Sequence, residues 1–149
     1  MKAVKSKHVV EFLGVPYATF HLWTKRGLLG PRFIAKGQGD VREFGFKELV
    51  ILRVVQRFLS VVKDIEFAKQ VAADLDRAWN THDFELMPIM VITILDGNLY
   101  ISWIKPELGF SEELIKKGIV TLISVKNIRD EAVRFLGGVG IEKQPALIK

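Results

Sequence analysis

Apolar residues in positions 1–80 recur at intervals of three and four, a spacing that is typical of amphipathic helices. The spacing predicts four helices, at residues 7–13, 17–26, 46–59 and 65–79. Ser6 and Asp64 stand where the first and fourth helix need an N-cap. Gly14 and Gly27 stand where the first and second helix end, because glycine readily adopts the conformation of a helix C-terminus. Two short helices joined by a glycine-containing turn indicate a helix-turn-helix.

The segment after the second predicted helix has a different pattern. Residues 28–34 and 41–44 are mostly apolar, and they flank a polar, glycine-rich stretch at 35–40. This pattern predicts two short strands around a turn. A basic hairpin directly after a helix-turn-helix indicates a wing.

The helical spacing breaks at residues 80–88, and we place a domain boundary there, between residues 1–80 and 81–149. Beyond it, apolar and β-branched runs predict strands at 90–95, 99–104 and 119–125. A turn is predicted at 96–98.

Two short helices are also predicted in the second segment. One spans 111–117 and ends at Gly118, and the other spans 128–136, is capped by Asn127 and ends at Gly137 and Gly138. Residues 139–149 are expected to be loosely ordered. The predicted fold class is therefore α+β, with an N-terminal winged helix-turn-helix and a small C-terminal domain that has a three-stranded sheet and short helices.

Composition narrows the setting of the protein. The chain of 149 residues contains no cysteine, which excludes disulfides and thiolate metal sites. It has no apolar stretch long enough to cross a membrane. We therefore expect a cytoplasmic protein that is not associated with a membrane.

Charge is distributed unevenly along the chain, whose formal net charge is +5. Residues 1–60 contain eleven Lys and Arg against four Asp and Glu, a net charge of +7, whereas residues 61–149 carry −2. This asymmetry suggests one module that binds a polyanion and a second module with another task. Chance clustering of solvated charge is the alternative.

Several segments in the first half resemble MerR-family DNA-binding domains. They are Val9-Val10-Glu11-Phe12-Leu13-Gly14-Val15, Thr19-Phe20-His21-Leu22-Trp23, Lys25-Arg26-Gly27-Leu28-Leu29 and, at the wing, Gly39-Asp40-Val41-Arg42-Glu43-Phe44. The resemblance covers residues 4–75 and implies a winged helix-turn-helix that binds double-stranded DNA and regulates transcription.

The chain also departs from the family pattern. His21 stands where the family usually has arginine, Leu22 replaces a frequent aromatic residue, and Pro16-Tyr17 replaces the more usual Ser-Pro. The family usually dimerises through a long coiled coil, whereas this sequence turns to strands. The family's dimer geometry therefore does not carry over.

Candidate DNA contacts follow from the charge pattern and from the resemblance. Lys and Arg neutralise phosphates, whereas base readout needs side chains near the start of the recognition helix, here the second helix. We expect phosphate contacts from the basic residues Lys5, Lys7, Lys25, Arg26, Arg32, Lys36 and Arg42. We expect groove contacts from Tyr17, Ala18, Thr19 and His21.

Arg42 is the strongest single candidate among these residues, because the resemblance implies a wing arginine against the DNA backbone. The alternative for each basic residue is an ordinary solvated side chain. For Tyr17 and Thr19 the alternative is packing or capping at the helix start.

Other patterns are assigned structural roles. Aromatic residues interleaved with basic ones can indicate base stacking, but their spacing favours core packing for Phe12, Phe20, Trp23, Phe33, Phe44 and Phe46. His82 near Asp83 and Glu85 is a weak candidate metal site. The sequence has no Gly-rich phosphate loop and no nucleophile motif, so we predict neither an enzyme nor a cofactor.

The hairpin at 90–104 offers more apolar surface than one short helix can cover. We therefore predict a homodimer formed through the C-terminal region, and a monomer whose sheet is covered by the fourth helix is the alternative. The predicted function is a homodimeric, sequence-specific transcription regulator.

Two other functions remain open. One is a protein-interaction module, such as an antitoxin, with a protein partner on the C-terminal region. The other is an excisionase-like architectural DNA-binding protein. The C-terminal domain argues against an excisionase, because those proteins are usually little more than the winged helix.

Overall fold

The computed structural model describes residues 3–30, 33, 42–106 and 118–142 of the chain. Its helices are α1 (Ser6–Leu13), α2 (Tyr17–Lys25), α3 (Phe46–Val61), α4 (Ile65–Ala78) and α5 (Val125–Glu142). Its strands are β1 (Val4–Lys5), β2 (Glu43–Phe44), β3 (Ile89–Leu95), β4 (Asn98–Ile104) and β5 (Ile119–Ser124). The fold is mixed α+β, as predicted.

Three predicted features lie wholly or mostly outside the described residues. They are the tip of the wing, the short helix at 111–117 and the loosely ordered segment at 139–149, of which only residues 139–142 are described, as helix. In the part of the chain that is described, no helix is both long and apolar enough to span a bilayer.

The four N-terminal helices lie where the apolar spacing predicts them. Asp64 caps α4 as predicted, because its Oδ1 accepts a hydrogen bond from the Phe67 N–H at 3.0 Å. The prediction that Ser6 caps α1 is wrong. Ser6 is the first helical residue, Lys5 occupies the cap position, and no side chain bonds the amides there. Gly14 ends α1 with a φ of 65°, in the left-handed region where glycine avoids the strain of a side chain.

The segment after α2 differs from the prediction. Residues 26–29 form a turn and do not begin a strand. The Leu28 N–H bonds the Trp23 carbonyl, and Gly27 has a φ of 81°, so the chain folds back on the end of α2. This is the geometry of a glycine-terminated helix.

Strand β2 pairs with β1, a partner that the sequence analysis did not predict. The two strands are antiparallel, with Val4 opposite Phe44 and Lys5 opposite Glu43. Val4 and Phe44 are both buried. The start of the described chain is therefore fastened to the segment that leads out of the predicted wing.

The C-terminal strands form one antiparallel sheet in the order β4–β3–β5. Asp96 and Gly97 make the turn between β3 and β4, and both have positive φ, as a two-residue hairpin turn requires. Met90 and Ile92 of β3 and Ile123 of β5 share one face of the sheet and join the hydrophobic core. The helices cover that face, through contacts of α3 with β5, of α4 with β4 and of α5 with β3.

Helix α5 is longer than predicted at both ends. The Ser124 hydroxyl accepts a hydrogen bond from the Asn127 N–H at 3.3 Å, so the cap lies before Asn127. The helix continues through Gly137 and Gly138, although each glycine costs about 1 kcal/mol relative to alanine. Val139 is buried beyond the glycines, and that burial offsets this cost by about 1.5–3 kcal/mol.

One hydrophobic core crosses the predicted domain boundary. Helix α3 lies at its centre, with Leu49, Leu52 and Val55 fully buried. This helix contacts α1, α4, α5 and β5. Residues on either side of 80–88 therefore pack in the same interior.

Arg53 of α3 joins the helix-turn-helix to α5. Its guanidinium donates to the carbonyls of Phe12 (2.7 Å) and Leu13 (3.4 Å), which are left free at the end of α1. Its Nε lies 3.4 Å from a carboxylate oxygen of Glu131 in α5. Burial lowers the pKa of Arg53, and the neighbouring Glu131 carboxylate opposes that shift.

Two further contacts strengthen this junction. Gln56 donates to the Leu13 carbonyl at 2.6 Å. The rings of Phe12 in α1 and Phe135 in α5 are 5.0 Å apart. The C-terminal helix is therefore held directly against the first helix of the helix-turn-helix.

Replacing Arg53 with methionine should lower the free energy of unfolding by about 2 kcal/mol, because buried carbonyls and a partly buried carboxylate lose a charged donor. Arg57→Met is the matched control. Arg57 also reaches Glu131, at 3.6 Å, but its side chain is 55% exposed, against 16% for Arg53. The control should cost less than about 0.5 kcal/mol. Urea unfolding measures both, and equal losses would contradict the role of Arg53 as the junction.

Candidate nucleic-acid interface

Helix α2 has one buried side and one open side. Phe20, Trp23 and Thr24 are buried against the core. The opposite side presents Ala18, Leu22 and Lys25, and Tyr17 is exposed beside it at the start of the helix. Ala18, Leu22 and Lys25 are separated by four and three residues, so their side chains share one outer face of the helix. We call it the open face of α2.

The start of the open face is ordered by aromatic contacts. The rings of Tyr17 and His21 are stacked with centroids 6.2 Å apart. Tyr17 also meets Phe20 edge-on at 6.3 Å, and it remains 55% exposed. Thr19 and His21 are half-buried, at the border of the open face. The open face thus offers a hydroxyl, an imidazole and apolar groups along two turns of helix.

A stack of aromatic rings fixes α2 to strand β2. Phe20 of α2 meets Phe44 of β2 at 5.5 Å, and Phe44 stacks on Phe33 at 5.2 Å. All three are buried. The prediction that Phe12, Phe20, Trp23, Phe33 and Phe44 pack in the core is confirmed, and Phe46 is partly buried against it.

Arg42 lies beside this aromatic stack and not on the surface. Its side chain is folded inward, and the residue is 8% exposed. Nη1 donates to the Phe33 carbonyl at 2.7 Å, and the guanidinium carbon lies 5.8 Å from the Phe20 ring and 5.9 Å from the Phe44 ring. This burial does not fit the phosphate contact that the resemblance implies. The contacts give Arg42 the role of holding Phe33, Phe44 and α2 together.

The remaining basic candidates differ in whether an acidic residue lies close to them. Lys7 and Lys25 are exposed, and neither forms an ion pair with an acidic residue of the described ranges. Lys5 is exposed but stands directly across the β1–β2 pair from Glu43. Arg26 forms an ion pair with Glu66 at 3.3 Å, on the exposed surface. Arg32 and Lys36 lie outside the described residues.

Part of the positive charge of residues 1–60 is engaged in ion pairs with acidic residues of the same chain. Lys47 pairs with Asp76 at 2.8 Å, and Arg53 and Arg57 both pair with Glu131. With the burial of Arg42, several cations of the basic half are therefore already paired or buried. The charge count alone overstates how much of that charge can meet a polyanion.

Leu22 is a surface residue that the sequence analysis did not include among the DNA contacts. It is 48% exposed, between Ala18 and Lys25 on the open face. The signal was present in the sequence, because Leu22 lies four positions after Ala18 and off the side that carries Phe20 and Trp23.

His82, Asp83 and Glu85 have separate structural contacts. The Nε2 atom of His82 lies 2.8 Å from the Met87 carbonyl oxygen, and its ring packs 3.9 Å from the Trp103 ring. Asp83 accepts two backbone N–H bonds in the turn that follows it, and Glu85 faces Lys126 at 3.9 Å. Across the described residues, no group of three or more His, Asp or Glu side chains could hold a metal ion.

Two helices are joined at a glycine in the left-handed conformation. The second helix packs against the core on one side and is exposed on the other. This arrangement defines a helix-turn-helix domain. Residues 4–74 match the family model described as MerR HTH family regulatory protein. Residues 4–74 therefore form a domain of the MerR helix-turn-helix type. None of the curated proteins matches the chain. A MerR-type domain indicates a DNA-binding transcription regulator, and such regulators are typically not enzymes.

Arg42→Ala should lower the free energy of unfolding by about 1–2 kcal/mol, because it removes a buried hydrogen bond and the cation that lies against Phe20 and Phe44. Lys25→Ala, on the exposed surface, should leave stability within about 0.5 kcal/mol. Thermal or urea unfolding checks both variants. Unchanged stability of Arg42→Ala, combined with weaker DNA binding, would restore Arg42 as a phosphate contact.

Proposed function

We propose that the protein is a sequence-specific regulator that binds double-stranded DNA as a homodimer in the cytoplasm, without enzymatic activity. The open face of α2 enters the major groove. Tyr17, Ala18, Thr19 and His21 face the base edges or the groove wall, and Lys7, Lys25 and Arg26 contact phosphates. Lys5 and, on the wing, Arg32 and Lys36 add further phosphate contacts.

The observation that carries the proposal is the exposure of α2 in a MerR-type domain. Its outer side is free of other elements in the described structure, while Phe20 and Trp23 anchor it from behind. The helix contains no acidic residue, so nothing along it repels a phosphate backbone. A major groove accepts a helix of this kind with its first turns toward the bases.

Selection of bound sites from random duplex DNA tests the proposal directly. We expect one enriched sequence and binding that weakens steeply as salt rises, because phosphate contacts release counterions. No enriched sequence and no salt-dependent retention on duplex DNA would contradict the proposed function.

Lys25→Gln should reduce the slope of log affinity against log salt by about one, as expected for the loss of one phosphate contact. Its effect should be similar on all DNA sequences, because a phosphate contact carries no base information. Lys126→Gln is the matched control. It removes the same charge from α5, where Lys126 faces Glu85 and Asp130. Equal slopes for the two variants would show that Lys25 acts only through net charge.

The homodimer is proposed to form through the C-terminal sheet. On the side facing away from the helices, Tyr100 of β4 and Leu122 of β5 are exposed and flank the buried Val91 and Thr93 of β3. Strand β4 contains no charged residue, so a second copy would meet no like charge along it. Charged side chains are the usual protection of an edge strand.

Tyr100→Lys should convert the dimer to a monomer, because it places a charge on the proposed interface. Val133→Lys is the matched control, since Val133 is an exposed apolar residue of α5. Sedimentation velocity over a range of concentrations distinguishes the cases. If only Val133→Lys dissociates the dimer, the interface lies on α5 and not on the sheet. If the parent protein is a monomer, the proposed homodimer is wrong.

A further inference from the structure

The open face of α2 contains a large apolar side chain where a DNA-reading helix usually has polar groups. Leu22 is 48% exposed, and Ala18, one turn earlier on the same face, is exposed as well. Neither side chain has a hydrogen-bonding atom. The middle of the open face therefore cannot read a base edge by donors or acceptors.

Thymine is the base whose major-groove edge offers an apolar group, its C5 methyl. Cytosine presents an amino donor instead, and the purines present N7 acceptors. Opposite Leu22, those polar groups would lose water without gaining a partner, which disfavours them. An apolar contact to a methyl group thus selects for thymine and against the other bases.

The surroundings of Leu22 indicate DNA as its partner rather than an apolar protein surface. Lys25 follows it by three residues on the same face, and Arg26 is 46% exposed beside it. Tyr17 and His21 flank the face at its start. An apolar centre bordered by cations matches a groove in which base methyls lie between two rows of phosphates.

Resting on the proposed function, we infer that Leu22, supported by Ala18, reads a thymine methyl group in each half-site of the operator. Leu22 is thereby a specificity residue, whereas Lys25 and Arg26 position the helix through phosphates. The small Ala18 leaves room for the methyl group to approach the helix between the two side chains.

Replacing thymine with deoxyuridine removes only the C5 methyl and keeps the base pair. In the selected site, each thymine is replaced singly and the dissociation constant is measured by titration. One thymine in each half-site should lose about fourfold in affinity, the effect of one buried methyl group. With Leu22→Ala the same replacement should have little effect, since the partner of the methyl group is already gone.

Leu86→Ala is the matched control, because Leu86 is an exposed leucine in the loop before β3. It should keep the full deoxyuridine effect. Leu22→Gln provides a second readout, since glutamine pairs with adenine in the major groove. A repeated selection with this variant should replace thymine with adenine at the affected position. This result does not depend on measuring small affinity differences.

The outcomes separate the inference from the proposed function. If the parent protein selects an operator but no deoxyuridine replacement changes affinity, or if Leu22→Ala keeps the full effect, the assignment of Leu22 is wrong and DNA binding stands. If the parent protein selects no site and shows no salt-dependent binding, both fail together. Loss of a protein complex on Leu22→Ala, with DNA readout unchanged, would assign the open face to a protein partner.

Discussion

Arg53 links the two halves of this molecule, because one side chain bonds the end of α1 and pairs with a carboxylate of α5. A short helix leaves its last carbonyls without partners, and here a side chain from α3 supplies donors to two of them. The same side chain faces Glu131 of α5. Without this contact, α1 would keep its apolar packing but lose the polar link to α5. The orientation of α2 depends on α1, because the two helices are joined through Gly14.

A second set of contacts controls what α2 presents to the outside. Phe20 packs on Phe44, Phe44 on Phe33, and Arg42 lies against this stack. Since all of these contacts lie on the buried side of α2, its outer side is left to Ala18, Leu22 and Lys25, with Tyr17 exposed at its start. The same packing therefore holds α2 rigidly on its buried side and leaves its outer side exposed. A reading surface needs both, because base contacts depend on accurate placement.

Helix positions, the hairpin turn and the aromatic core could be predicted from the sequence, because each has a local periodic or turn signal. The pairing of Val4 with Phe44 could not be predicted, because a strand of two residues is too short to show a periodic pattern of apolar positions. The end of α5 was mispredicted because Gly137 and Gly138 are strong local stop signals, and only tertiary burial of Val139 overrides them. Arg42 was predicted to contact phosphate because of the resemblance to the family. A resemblance gives a residue's position in a motif but not the direction of its side chain.

The ion pairs between cations and carboxylates of the same chain also affect how the protein approaches a charged polymer. Lys47 faces Asp76, and Arg53 and Arg57 share the carboxylate of Glu131, so from a distance part of this positive charge is cancelled. Charges farther away than about 8 Å are in any case screened at physiological ionic strength. Binding to a duplex would therefore depend more on collisions in which the open face of α2 already points toward the DNA. It would depend less on long-range electrostatic attraction.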